Sequence, residues 1–121
     1  MTISQGDVPP TGPIVVRRGD IWWVSLDPTQ GGEIRKTRPA VVISVNALNR
    51  ARRTVVIVPL STGPDPRPPI VVSTPSAGPN SVAVCDQLRA VDKRRLTRIL
   101  GRLSIADLRI IEEGIRRILE L

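Results

Sequence analysis

Gln30-Gly31-Gly32-Glu33-Ile34-Arg35-Lys36-Thr37-Arg38-Pro39 is a glycine-rich, basic segment between two apolar runs, residues 21–26 and 40–45. In the run at 21–26, alternation places Trp22, Val24 and Leu26 on one face and Ile21, Trp23 and Ser25 on the other. The first set is uniformly apolar and is expected to face a core, leaving Trp23 on the more exposed side. The run at 40–45 is apolar throughout, as in a strand covered on both faces. Pro39 opens it, and a missing N–H is tolerated at a strand's first residue. A polar loop of this length between two strands is a usual place for chemistry in a small β domain.

Further strands are expected at 54–60, 70–73, 81–85, 88–91 and 96–103, with Gly101 marking a bulge. Residues 44–49 turn out of the second run through a helical turn, and 92–95 read as another. The segments 63–69 and 74–80 are rich in proline and glycine and read as loops. A final helix begins at Ser104, an N-cap residue, with Asp107 suited to the helix N-terminus. Its apolar positions Ile105, Leu108, Ile111, Ile115, Ile118 and Leu119 recur at helical spacing. Glu112 and Glu113 precede Arg116 and Arg117 by four. Short strands, irregular loops and one late helix predict a mainly β fold with a C-terminal helix, a small, strongly twisted barrel. Residues 1–13, with three prolines and few apolar side chains, are expected as a disordered tail, and 14–121 as the single domain.

The chain of 121 residues has 18 Lys and Arg against 11 Asp and Glu, a net charge of +7. Only Lys36 and Lys93 are lysines. Arginine's planar fork suits phosphate, so a polyanionic partner is indicated. Arg35, Lys36, Arg50, Arg52, Arg53 and Arg67 are the loop cations expected to meet the phosphates of such a partner. There is no histidine. That removes the commonest general base and the commonest zinc ligand, so neither a metal site nor a cofactor is expected. The one cysteine, Cys85, ends an apolar run and reads as a buried structural thiol. Such usage fits a reducing cytoplasm. No apolar run approaches the ~20 residues of a membrane span, and 1–13 lacks the pattern of a secretory signal.

Arg18-Gly19-Asp20-Ile21-Trp22-Trp23-Val24 with Asp27-Pro28, then Gly32-Glu33 and Arg38-Pro39-Ala40-Val41-Val42-Ile43-Ser44, then Val58-Pro59-Leu60-Ser61-Thr62, and finally Ser81-Val82-Ala83-Val84-Cys85-Asp86-Gln87, resemble in order and spacing the MazF/PemK toxins, the ribonuclease halves of bacterial toxin–antitoxin pairs. The resemblance spans about residues 16–121. It implies an SH3-like barrel acting as a homodimer and a metal-independent, sequence-specific endoribonuclease on single-stranded RNA. It also implies a cognate acidic antitoxin (MazE-like) that covers the RNA groove. The family's catalytic arginine falls on Arg38 and its catalytic threonine on Ser61. Serine keeps the hydroxyl and loses the methyl group that restricts χ1. Thr62 is the alternative to Ser61 if a bulge shifts the register. Gln87 belongs to the last matched motif and is assigned to RNA binding.

The chemistry is coherent with these residues. RNA supplies its own nucleophile, the 2′-OH, so an enzyme must chiefly stabilise charge developing on the phosphate. Arg38 can clamp phosphate oxygens with paired N–H donors, and Ser61 can donate to another. Arginine is a poor base, its pKa exceeding ~12. Glu33 is the nearest conventional base, its alternative role being a loop carboxylate paired with Arg35 or Lys36. Two other readings share the barrel: a non-enzymatic, gyrase-inhibiting toxin of the CcdB type, and an SH3-like RNA-binding module.

Overall fold

Strand pairing determines where every site residue ends up. The computed structural model describes residues 15–26 and 36–121. The tail 1–13, Glu33 and Arg35 lie outside the described residues.

Seven strands form one antiparallel sheet: β1 (Asp20–Ser25), β2 (Thr37–Val42), β3 (Thr54–Ser61), β4 (Val71–Ser73), β5 (Val82–Val84), β6 (Arg89–Asp92) and β7 (Leu96–Arg102). A short helix α1 (Asn46–Ala51) joins β2 to β3, and α2 (Ile105–Leu119) closes the chain. The order is β4-β5-β3-β2-β1-β7, with β6 also pairing β3. β6 and β7 are joined only by the turn Lys93–Arg95. Val91 and Leu96, on either side of that turn, bury into one cluster. The sheet therefore curls toward a barrel without a closed ring of ladder hydrogen bonds, the expected mainly β architecture with a C-terminal helix.

The curl creates two cores, because successive residues of a strand face opposite ways. Trp22, Val24, Ala40, Val42, Val55 and Ile57 fill the inside. Ile21, Val41, Val58 and Leu60 face outward and are covered by Leu108 and Ile111 of α2, together with Val72 and Cys85. This corrects the sequence expectation for Ile21, which is buried rather than on an open face. Trp23, on that same outer face, stays half-buried. The run at 40–45 is covered on both faces only as far as Val42, where the strand ends. Val45 is 61% exposed and precedes α1.

The Arg18-Gly19-Asp20 motif is a turn with a purpose. Asp20 N–H donates to the Arg17 carbonyl at 3.0 Å, and Arg17 N–H returns a bond to Asp20 Oδ2 at 2.9 Å. Gly19 has φ +92°, a left-handed value that disfavours any side chain. Its carbonyl accepts from Leu103 N–H at 2.8 Å, so the start of β1 is fastened to the end of β7. Gly101 sits opposite Ile21 where the β1–β7 register shifts, the expected bulge.

Ser104 caps α2, its hydroxyl accepting from Asp107 N–H at 3.1 Å. The Asp107 carboxylate is itself buried and accepts from the Ser76 N–H at 2.8 Å and the Ser76 hydroxyl at 2.5 Å, which ties the 74–80 loop to the helix. Two helix expectations change. Ile105 and Leu119, at the ends of the apolar stripe, are 71% and 50% exposed. Glu112 pairs with Arg18 across the fold rather than with Arg116, which reaches Glu113 at 3.5 Å. No helix among the described residues is long and apolar enough to cross a membrane.

Candidate functional site

The site forms where β2 begins and β3 ends. Antiparallel pairing sets Ala40 opposite Pro59, Val41 opposite Val58 and Val42 opposite Ile57. Arg38 and Ser61 lie two residues beyond the last pair of that ladder, Ala40 and Pro59, so both stand at the same end of the two strands. The opposite edge of β3 pairs with β5, with Leu60 opposite Ala83 and Ser61 opposite Val82. On its other side Arg38 is held opposite Val24 of β1. Both side chains are thus positioned by paired strands rather than by loops.

Two depressions meet at this pair. The larger, about 780 Å³, runs over the outer face of β1 and β2, with walls from Trp23, Thr62, Leu100 and Arg102. The smaller, about 460 Å³, is lined by Leu26, Gln87 and Arg89 among others. Arg38, Ser61 and Lys36 line both. Thr62 lines the larger depression and a neighbouring one beside the proline-rich loop, but not the smaller one shared by Arg38 and Gln87. Ser61 and Thr62 thus share the larger depression, and only Ser61 reaches the smaller one as well.

Arg38 is exposed and Ser61 half-buried. The Ser61 hydroxyl oxygen accepts from Gly63 N–H at 3.3 Å. This bond uses a lone pair and leaves the hydroxyl proton available to donate. Gln87 ends the turn Cys85–Gln87, and Arg89 begins β6, its Nη1 donating to the Leu26 carbonyl at 3.4 Å. Across the larger depression Arg102 is anchored: Nη1 donates to the buried Asp20 Oδ1 at 2.6 Å and Nη2 to the Arg18 carbonyl at 3.1 Å. The walls shared by Arg38 and Ser61 carry no carboxylate among the described residues. They form an anion-accepting surface with hydroxyl, amide and guanidinium donors and an aromatic side wall.

The fold brings together Arg38, Ser61, Thr62, Lys36 and Gln87. It does not bring Arg50, Arg52, Arg53 or Arg67 there. Arg52 and Arg53 precede Thr54, the opposite end of β3 from Ser61, and Arg50 lies in the last turn of α1. Arg67 bridges Val71 at the proline-rich loop. Arg89 and Arg102 were missed by sequence reasoning. Each reaches the site through pairing with a strand more than thirty residues away, and no local pattern announces that.

Cys85 is buried, and burial first, then the nearby Asp86 carboxylate, pushes its thiol up to about 11. A thiol so placed is protonated at neutral pH and inert. Among the described residues no three His, Cys, Asp or Glu side chains gather as a metal site would require.

A family model described as a PemK-like, MazF-like toxin of type II toxin–antitoxin system matches residues 17–119. The chain is 33% identical over 116 residues to endoribonuclease MazF9 of Mycobacterium tuberculosis, covering 88% of this chain and 98% of that one. It is 38% identical over 106 residues to endoribonuclease PemK of Escherichia coli, covering 74% and 80%. A MazE–MazF crystal structure from Deinococcus radiodurans shares the fold with a TM-score of 0.78 at 23% identity, covering 90% of this chain and 99% of that one. A mycobacterial endoribonuclease in complex with its cognate antitoxin gives 0.71 at 26% identity, covering 87% and 95%.

Proposed function

The chain belongs to the family of PemK-like, MazF-like toxins of type II toxin–antitoxin systems, and we propose that it is an endoribonuclease whose catalytic pair is Arg38 and Ser61. The carrying observation is that these two residues, contributed by different strands, line both depressions at the point where they meet. The substrate is single-stranded RNA, whose backbone can enter an open cleft without a duplex having to be parted.

The 2′-OH of one nucleotide loses its proton and attacks the adjacent phosphorus, the bond to the 5′-oxygen breaks, that oxygen takes up a proton from solvent and leaves as a 5′-hydroxyl, and a 2′,3′-cyclic phosphate remains. Negative charge builds on the non-bridging oxygens during that exchange. Arg38 offers paired N–H donors to them, and Ser61 offers its hydroxyl proton. Glu33 is the residue proposed to take the 2′-OH proton, in keeping with the absence of a carboxylate from the described walls. Thr62 is the alternative hydroxyl. Lys36, Gln87 and Arg89 hold the flanking nucleotides, and Trp23 offers a surface for stacking. No step requires a metal. The inhibiting partner is an acidic antitoxin laid across the same cationic cleft. The working unit is a homodimer in the cytoplasm.

The test is to incubate pure protein, shown by mass spectrometry to carry no antitoxin, with a long RNA in EDTA and to map the ends. Discrete cuts by the wild type, lost in Arg38→Ala, are expected. Intact RNA at high enzyme excess would overturn the proposal.

A further inference from the structure

A second group of cations gathers far from the cleft. The end of α1 and the turn after β6 enclose a depression of about 460 Å³, lined by Ala51, Arg52, Arg53, Asp92, Lys93 and Arg94. The two segments are pinned together: Lys93 N–H donates to the Arg53 carbonyl at 2.8 Å, and Asp92 pairs with Thr54 across the ladder. The one carboxylate is already engaged. Asp92 Oδ1 accepts from Arg94 N–H at 2.8 Å and from its Nε at 3.1 Å, and Oδ2 accepts from Nη2 at 3.3 Å. The Arg94 hydrogen bonds hold the Asp92 carboxyl below its usual range. Arg52, Arg53 and Lys93 form no ion pair among the described residues.

Like charges held this close repel, and an arriving polyanion relieves that repulsion. The position of the depression says which polyanion. From Thr54 to Ser61 the strand spans about 20 Å. Arg89, opposite Ile57, stands part-way along the same edge and lines the smaller depression at the catalytic pair. Cations therefore run from Arg38 past Arg89 to Arg52, Arg53 and Lys93. We propose that this depression is a distal binding site for the phosphodiester backbone of the same RNA strand that is cut at Arg38 and Ser61. The inference rests on the endoribonuclease reading and adds a second point of attachment to it. A strand that reaches both sites binds the second at high effective concentration, so affinity depends on RNA length.

The test compares wild type with an Arg52→Gln, Arg53→Gln, Lys93→Gln triple variant. The probes are mixed-sequence 2′-O-methyl RNAs, which carry the phosphate chain without a nucleophile. They are about 6 and about 24 nucleotides long, one short enough to fit within a single groove's usual footprint of ~4–16 and the other longer than it. The triple variant should bind the long RNA about tenfold more weakly and the short RNA unchanged. The slope of log K against log salt for the long RNA should shrink by about 2, as expected for three lost phosphate contacts. Unchanged long-RNA affinity, or equal loss on both lengths, overturns the proposal. Intact RNA affinity with lost binding of an acidic antitoxin peptide also overturns it and gives the surface to that peptide. RNA cleavage by the wild type, measured alongside, separates failure of the distal site from failure of the endoribonuclease reading.

Discussion

Gly114→Ala should destabilise this protein although alanine is the better helix former. At an ordinary helix position the exchange gains about 1 kcal/mol. Here an ideal Cβ would lie 2.7 Å from the Pro69 carbonyl oxygen and 3.1 Å from Cys85 Sγ. Ordinary carbon–oxygen contacts begin near ~3.3 Å. Helix α2 must therefore retreat by about half an ångström from the 68–69 segment, or that segment must move. The obstacle is the backbone carbonyl of Pro69, which follows Pro68, and not the end of a flexible side chain, so little can yield. Overpacking of this kind costs ~1–3 kcal/mol, and the upper half of that range exceeds the helical gain. A net loss of about 1–2 kcal/mol is expected, or a fall in Tm of about 4–8 °C for a domain of this size. Urea unfolding and calorimetry of both proteins at one concentration would measure it. Stability equal to or above wild type would refute the close approach of α2 to that carbonyl.

The remaining predictions concern the site and its supports. Ser61→Ala should lower cleavage by about 100-fold, the usual effect of losing one charge-stabilising donor, whereas Ser61→Thr should keep or raise it; a larger loss in Thr62→Ala than in Ser61→Ala, measured as initial rates, would move the hydroxyl to Thr62. Asp20→Asn should cost about 1–3 kcal/mol in urea unfolding, because Arg102 loses its charged acceptor at 2.6 Å; an unchanged midpoint would show that this tie does not support the fold. The Cys85 thiol ionises near 11 in the folded chain but near its ordinary 9.0 when unfolded. The unfolded chain loses that proton first, so the thiol's contribution is intact below about pH 9 and is lost as pH rises toward 11. Thermal melts of Cys85→Ala should accordingly fall less steeply over that interval than those of wild type.

Much of this molecule can be read from its sequence, and the parts that cannot share a cause. The strands, the Gly101 bulge and the Ser104 cap follow from nearest neighbours along the chain. The proposed catalytic pair is legible only through the resemblance, since neither Arg38 nor Ser61 looks unusual in its local setting. Ile21 appears exposed because alternation describes one strand, while its burial comes from α2, some ninety residues later. Arg52 and Arg53 seem to belong with Arg38 because only short connections separate them in sequence. β2 carries the chain away from Arg38 before they are reached, and the eight residues of β3 then lead back to Ser61, leaving Arg52 and Arg53 at the other end of the fold. Arg102 reaches the cleft through the β1–β7 pairing, and Glu112 leaves its own helix to meet Arg18. In each case a long-range pairing overrides what spacing along the chain suggests.

The fastening of β1 to β7 also orders events in time. Arg38 and Ser61 are synthesised before Leu100, Arg102 and the helix that covers Ile21. Contacts so distant in sequence carry a loop-closure cost that local contacts do not. Until β7 pairs with β1 and α2 covers Ile21, a growing chain carries Arg38 and Ser61 on an unfinished surface, and the cleft proposed to receive RNA has only one of its walls.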